Sequence, residues 1–147
     1  METIKKNEYK SEIFHSQKGL VSVIIPVYNG ESRLEELIKS LMNQTYKKIE
    51  IIAVDNNSRD NSVKILEILN KEKIPLRIFL NKQNEGYCGG CNKGIENANG
   101  EFLLFLSQDR IMNFDWIEKT VDEMNNDEKT GCIIGKVVRE GASSGEY

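Results

Sequence analysis

Four short stretches of the chain carry residue types able to do chemistry. Ser107-Gln108-Asp109 follows an uninterrupted apolar run, Phe102 to Leu106, and places one carboxylate where a strand should end. Asp55-Asn56 follows a second run, Ile49 to Val54, and Tyr28-Asn29 follows a third, Leu20 to Val27. In a parallel sheet the carboxyl ends of strands lie along one edge, so residues distant in sequence converge on a crevice there. A lone carboxylate can hold Mg or Mn while ligand oxygens fill the other positions. An Asp or Asn can pair with an N–H edge, and a tyrosine ring offers a flat face for stacking. Together these types suit a nucleoside diphosphate bound with a divalent cation. Each also has a plain structural use, because Ser107 to Asp109 suits a strand-ending turn and Asp55 to Ser58 a helix cap.

The fourth stretch, Cys88-Gly-Gly-Cys91, has the spacing of a redox dithiol or half a zinc site. Zinc would need two more ligands, and only Cys132 and His15 remain, both distant in sequence. A redox dithiol belongs after the first strand of a smaller fold, whereas this pair follows the third. No G-x-x-x-x-G-K-[ST] phosphate loop, no G-x-G-x-x-G after the first strand and no G-x-S-x-G elbow occurs. The single histidine, His15, falls in a polar arm outside every predicted core element, so a Ser-His-Asp hydrolase has no placed imidazole.

Positioning these residues requires a regular scaffold, and the hydrophobic pattern supplies one. Leu20 to Val27 is a buried strand, with Pro26 near its end where a missing N–H costs least. Leu34, Leu37, Ile38, Leu41 and Met42 then repeat with a helical period and turn Glu35, Glu36 and Lys39 outward. Ile49 to Val54 is a second strand. A helix follows, capped by Ser58 or Asp60, with Val63, Ile65, Leu66, Ile68 and Leu69 as its apolar face. Pro75 leads into a third strand, Leu76 to Leu80, nearer an edge. Gly86 to Gly90 reads as a loop that something approaches closely, and Cys91 to Asn99 as a short helix. Phe102 onward reads as a central strand buried on both faces. Phe114 to Asn125 is then helical, and Cys132 to Val138 is a last strand. This alternation predicts an α/β fold: a Rossmann-like, three-layer α/β/α sandwich with a mostly parallel sheet.

Whole-chain properties set the limits. The 147 residues suit one domain with a sizeable core, divided as an arm over 1–19, a domain over 20–138 and a tail over 139–147. Twenty Lys and Arg against 23 Asp and Glu give a net charge of −3, which argues against nucleic acid as a partner. No stretch is long and apolar enough to span a membrane, and the first ten residues lack a signal-peptide core, so a cytoplasmic chain is expected, soluble or peripheral at the membrane. Three cysteines suit reduced thiols rather than a disulfide framework.

The segments VSVIIPVYNG, SLMNQTY, IEIIAVDNNSRDNS, NEGYCGGCNKGI and GEFLLFLSQD, in this order, resemble the nucleotide-sugar half of family two glycosyltransferases. These are inverting enzymes with the A-type fold. The pairing of NEGYCGGCNKG with LSQD resembles the rhamnosyltransferase-like branch, which points to a dTDP- or UDP-linked sugar donor. The resemblance implies that Pro26 and Tyr28, with Asn29 beside them, form the turn that packs on the pyrimidine. It implies that Asp55 and Asn56 form the paired acidic motif, in which the Asn56 carbonyl can still accept the base N3–H. Ser107, Gln108 and Asp109 match the D-x-D segment with only its last acid kept, so Asp109 is the expected ligand of Mg or Mn. Gly86 and Asn92 match the loop and helix near the sugar and ribose.

Members of that family continue well beyond the last strand seen here, and the later part carries the acceptor site and the general base. The A-type fold is therefore expected in truncated form. No catalytic base is assigned, since Asp115, Asp122 and Glu123 suit the solvated face of a helix. The expectation is transfer to a glycan, lipid-linked or protein hydroxyl in glycan or cell-surface polysaccharide synthesis. The rival is a non-catalytic nucleotide-sugar-binding or assembly module, with self-association or a second chain supplying the acceptor half. A signalling domain with Asp55 as phosphoacceptor ranks below both, because the acidic cluster it needs after the first strand is missing.

Overall fold

The computed structural model describes residues 16–72 and 74–137. His15 and the rest of the expected arm up to it lie outside the described residues, as do Val138 and the tail. The element order is β1 (Gln17–Val27), α1 (Leu34–Met42), β2 (Ile49–Asp55), α2 (Ser62–Asn70), β3 (Leu76–Leu80), α3 (Gly86–Glu96), β4 (Gly100–Phe105) and α4 (Trp116–Asn126). The four strands form one sheet in the order β3-β2-β1-β4, with every neighbouring pair parallel.

Side chains alternate across each strand, and the helices cover both faces. Val21, Val23, Ile25 and Val27 of β1 join Ile49, Ile51 and Ala53 of β2 in a core with Leu34, Leu37, Ile38 and Leu41 of α1. Leu66 and Leu69 of α2 and Ile117 and Val121 of α4 complete that layer. On the opposite face Ile24, Ile52 and Val54 pack with Ala98, Ile95 and Phe79, beneath α3. The fold is therefore a three-layer α/β/α sandwich. Gly94 makes the α3 contact tight, since a Cβ there would stand 2.2 Å from Ile24 Cγ2.

Several details depart from the pattern-based expectation. β1 starts at Gln17, inside the expected arm, and pairs there with Gly100. β4 is an edge strand rather than a central one: it lies outside β1, and Leu103 and Phe105 are 42% and 43% exposed. Phe102 and Leu104 face the larger core, while α3 covers β1 and β2 and leaves Leu103 and Phe105 of the run exposed. Gly86 to Gly90 is the first turn of α3 and not a loop; of these glycines only Gly86 has a left-handed φ, +72°. Cys132 to Val137 forms no strand, and Ile134 is 90% exposed. The α2 face is narrower than its composition, as Leu66 and Leu69 are buried while Ile68 is 50% exposed. No helix among the described residues is long and apolar enough to cross a membrane.

Candidate functional site

The strand order creates the site. The chain proceeds outward from β1 to β2 and β3, then returns across the sheet to place β4 on the other side of β1. Such a reversal opens a crevice at the carboxyl ends of the two strands where the connections part. The β1–β4 ladder ends with the Ile24–Phe105 pair and the bond from Leu106 N to Ile24 O, whereas β1 stays paired to β2 as far as Val27 and Asp55. Pro26 falls where β4 has already left the ladder, so its missing N–H removes no β4 bond.

Asp55 closes β2 and is 2% exposed. Its Oδ2 accepts the Ser58 amide at 3.0 Å, while Oδ1 is buried without a partner. Asn56, equally buried, is spent on structure: Nδ2 donates to Gly86 O at 3.0 Å and Oδ1 accepts from Asn81 Nδ2 at 2.9 Å. Asp55 Oδ1 therefore offers an acceptor with no partner among the described residues, beside the Asn56 carbonyl, which already accepts one bond from Asn81.

The turn after β1 is laced to the loop after β2. Asn29 N donates to Ser58 Oγ at 3.0 Å, Gly30 N to Ser62 Oγ at 2.8 Å and Glu31 N to Asp60 Oδ2 at 3.0 Å. In return Asn29 Oδ1 accepts Arg59 N, and Glu31 Oε2 accepts from both the main chain and side chain of Asn61. Asn29 and Asn57 adopt φ of 50° and 62°, left-handed conformations that asparagine tolerates. The N-cap position of α2 is Asn61 rather than Ser58 or Asp60, although Asp60 accepts the Ser62 amide from just outside the helix. Glu31, Ser58 and Ser62 were not singled out as site-forming residues. The alternation Ser58, Asp60, Ser62 was the available signal, but its partners lie about thirty residues upstream.

Tyr28 is 42% exposed and leaves its ring accessible. Its main chain is bound on both sides by Gln108, whose Oε1 accepts Tyr28 N at 2.8 Å and whose Nε2 donates to Tyr28 O at 2.9 Å. The next residue, Asp109, is half exposed, with Arg110 Nε 3.4 Å from Oδ1. The Ser107 hydroxyl holds the Asp109 carboxyl below the usual carboxylate range; burial opposes it, and Arg110 and, more weakly, Arg33 add to the lowering. Tyr28, Asp55 and Asp109 thereby stand at one sheet edge, as the spacing implied. Asn92 lies on the exposed face of α3, in a shallow cleft with Asn81, Glu85 and Lys93.

Among the described residues no group of three or more His, Cys, Asp or Glu could cage a metal. A cation here would rely on the ionised Asp109 carboxylate and on oxygens of a ligand, a donor set that suits Mg or Mn. The Cys88/Cys91 pair offers little to a metal or to redox chemistry. Burial pushes the Cys91 thiol up, away from the thiolate that either role needs. Asp115 is paired to Lys119 at 2.5 Å, while Asp122 and Glu123 lie on the exposed side of α4.

A doubly wound parallel sheet with a polar crevice at its switch point defines a ligand-binding α/β class. The model for glycosyl transferase family 2 matches residues 22–147, and the chain belongs to that family. It is 38% identical over 106 residues to an uncharacterized glycosyltransferase of Haemophilus influenzae, covering 71% of this chain and 42% of that protein. It is 40% identical over 90 residues to the GalNAc(5)-diNAcBac-PP-undecaprenol beta-1,3-glucosyltransferase of Campylobacter jejuni, covering 60% of this chain and 29% of that enzyme. Among solved structures it resembles S. aureus TarS 1-349 in complex with UDP, with a TM-score of 0.70 and 28% identity. That match covers 82% of this chain and 38% of TarS 1-349. The chain thus spans less than half the length of these relatives, and its fold is the glycosyltransferase A-type fold.

Proposed function

We propose that this chain is the donor-binding part of an inverting glycosyltransferase. It takes a UDP- or dTDP-linked sugar, with Mg or Mn at Asp109, and the sugar passes to an acceptor hydroxyl in glycan or cell-surface polysaccharide synthesis. One observation carries the reading: the buried, unpartnered Asp55 Oδ1 at the edge shared with Tyr28 and Asp109. Leaving such an acceptor unpaired costs about 1–3 kcal/mol, which a ligand donor would recover. The N3–H of uracil or thymine is a donor of that kind, whereas N3 of cytosine is itself an acceptor and is repelled. The Tyr28 ring supplies a face for the base, and Asp109 stays ionised to meet a cation. Bound there, the cation would neutralise charge on the departing diphosphate. The acceptor oxygen would attack the anomeric carbon opposite that diphosphate, which inverts its configuration. The likeness to TarS, whose structures include complexes with UDP and UDP-GlcNAc, supports this donor class.

Calorimetric titration with UDP, dTDP and CDP, each with and without Mn, tests the reading. Metal-dependent binding of UDP or dTDP, and none of CDP, is the expected result. Binding of none of them overturns it. A second reading is a donor-binding module without turnover, in which Asp115, paired to Lys119, takes no proton from an acceptor. Release of UDP from a UDP-sugar in the presence of an acceptor glycan separates the two.

A further inference from the structure

We infer that Gln108 is a positioning residue that clamps the turn after β1 to the turn after β4, so that the base-facing and cation-facing sides of the crevice behave as one body. The clamp rests on geometry, and its consequence for binding rests on the nucleotide-sugar reading above. The β1–β4 ladder ends at Ile24, and beyond it the two chains diverge toward Tyr28 and Asp109. Across that gap the Gln108 carboxamide donates to and accepts from the main chain of one residue, Tyr28, at 2.9 and 2.8 Å. Each end of the carboxamide makes one of these bonds, which fixes the side chain against Tyr28 and lets Gln108 act on the ligand through that turn. Asp109 is the next residue along, and any displacement of the Tyr28 turn is therefore felt at the carboxylate expected to meet the cation.

Gly30 is the second half of the device. A Cβ at Gly30 would stand 2.6 Å from Gln108 Oε1 and 2.9 Å from its Cδ, and the three atoms nearest to it all belong to Gln108. The Gly30 backbone is not in the left-handed region, so alanine is conformationally acceptable there and would act by displacing the carboxamide. Two substitutions on different strands' turns thus remove the same contact: Gln108→Ala by deletion and Gly30→Ala by exclusion.

The test uses the full chain and two readouts. By amide hydrogen exchange, both variants should release Tyr28 N–H about tenfold faster than the native chain, which corresponds to the loss of a hydrogen bond worth about 1.4 kcal/mol. By calorimetry well below each unfolding midpoint, both should weaken Mn-supported UDP binding by about tenfold. The double variant should lose no more than either alone, because one contact is being removed twice. Gln108→Glu keeps the acceptor for Tyr28 N but loses the donor to Tyr28 O, and should fall between. Unchanged Tyr28 exchange in both single variants overturns the clamp. Faster exchange with native UDP affinity in the folded variants overturns the positioning role and leaves a purely structural contact. If the native chain itself binds no UDP or dTDP, the nucleotide-sugar reading fails by that result alone, and the exchange data still decide the clamp.

Discussion

Asp55 accepts the Ser58 amide through one carboxylate oxygen at 3.0 Å and leaves the other buried without a partner. The first oxygen fixes the loop that follows β2, so the residue cannot be removed without loosening that loop. Asp55→Asn keeps an acceptor for Ser58 and turns the open position into a donor. Its unfolding free energy should stay within about 1 kcal/mol of the native value, because a buried unpaired acceptor is exchanged for a buried unpaired donor. UDP affinity should fall roughly tenfold to a hundredfold, because donor would face donor. Denaturant unfolding and calorimetry read the two effects, and undiminished UDP binding would remove Asp55 from the site.

Asp109→Ala separates the cation from the base. The side chain is 59% exposed, so stability should change by less than about 0.5 kcal/mol. The gain in UDP affinity on adding Mn should disappear, while uridine, which lacks phosphates, binds as before. A variant that keeps its Mn dependence would show that the cation is held elsewhere.

Acid sensitivity should originate at the other end of the sheet. Burial disfavours the charged form of Glu50. The bonds from Ser22 Oγ, Asn99 N and Nδ2 and Arg77 outweigh it and hold the carboxyl below the usual glutamate range. A depressed folded value means that this stabilisation is fully present above the unfolded value and is lost as the pH falls through the folded one. Stability should therefore drop below about pH 4. Glu50→Gln should cost about 1–3 kcal/mol at neutral pH and make the drop shallower, as read by urea titrations across pH. An equally steep drop in the variant would assign the effect to other carboxylates.

Gly94→Ala tests the α3 contact. The added methyl would overlap Ile24 Cγ2 at 2.2 Å within a fully buried layer, and overpacking of this kind costs about 1–3 kcal/mol. Helix propensity returns up to about 1 kcal/mol, so a net loss is expected. Gly131→Ala, which meets nothing within 4 Å, is the control for thermal unfolding.

How far the sequence reveals this molecule depends on the range of the forces involved. Helical spacing of Leu34, Leu37, Ile38 and Leu41 locates α1 because burial acts on one face with a fixed period. The order of strands does not follow from any period, and so β4 reads as central although it lies at an edge. Apolar composition likewise suggests a strand at Cys132 to Val138, but a strand exists only through its pairing, and Cys132 to Val137 joins no ladder of the sheet. At the site, the residue types and their placement at strand ends are visible, because Asp55 and Asp109 sit where apolar runs stop. The pairing of Gln108 with Tyr28 is not visible: it joins positions 80 apart, and a glutamine in a turn carries no local signature.

Both Asn-Gly steps of the fold share a feature with a bearing on chemical ageing. Such steps lose ammonia when the glycine nitrogen closes on the asparagine carboxamide, and asparagine is a thermolabile residue for that reason. Here Gly30 N is held by Ser62 Oγ and Gly100 N by Ser22 Oγ, each at 2.8 Å. The asparagine side chains are pinned as well, Asn29 by the Arg59 amide and Asn99 by the Glu50 carboxylate. Ring closure at either step requires the hydroxyl to let go and the carboxamide to swing free. Isoaspartate at Asn29 or Asn99 would then be a slow chemical record of how often each end of the sheet has opened.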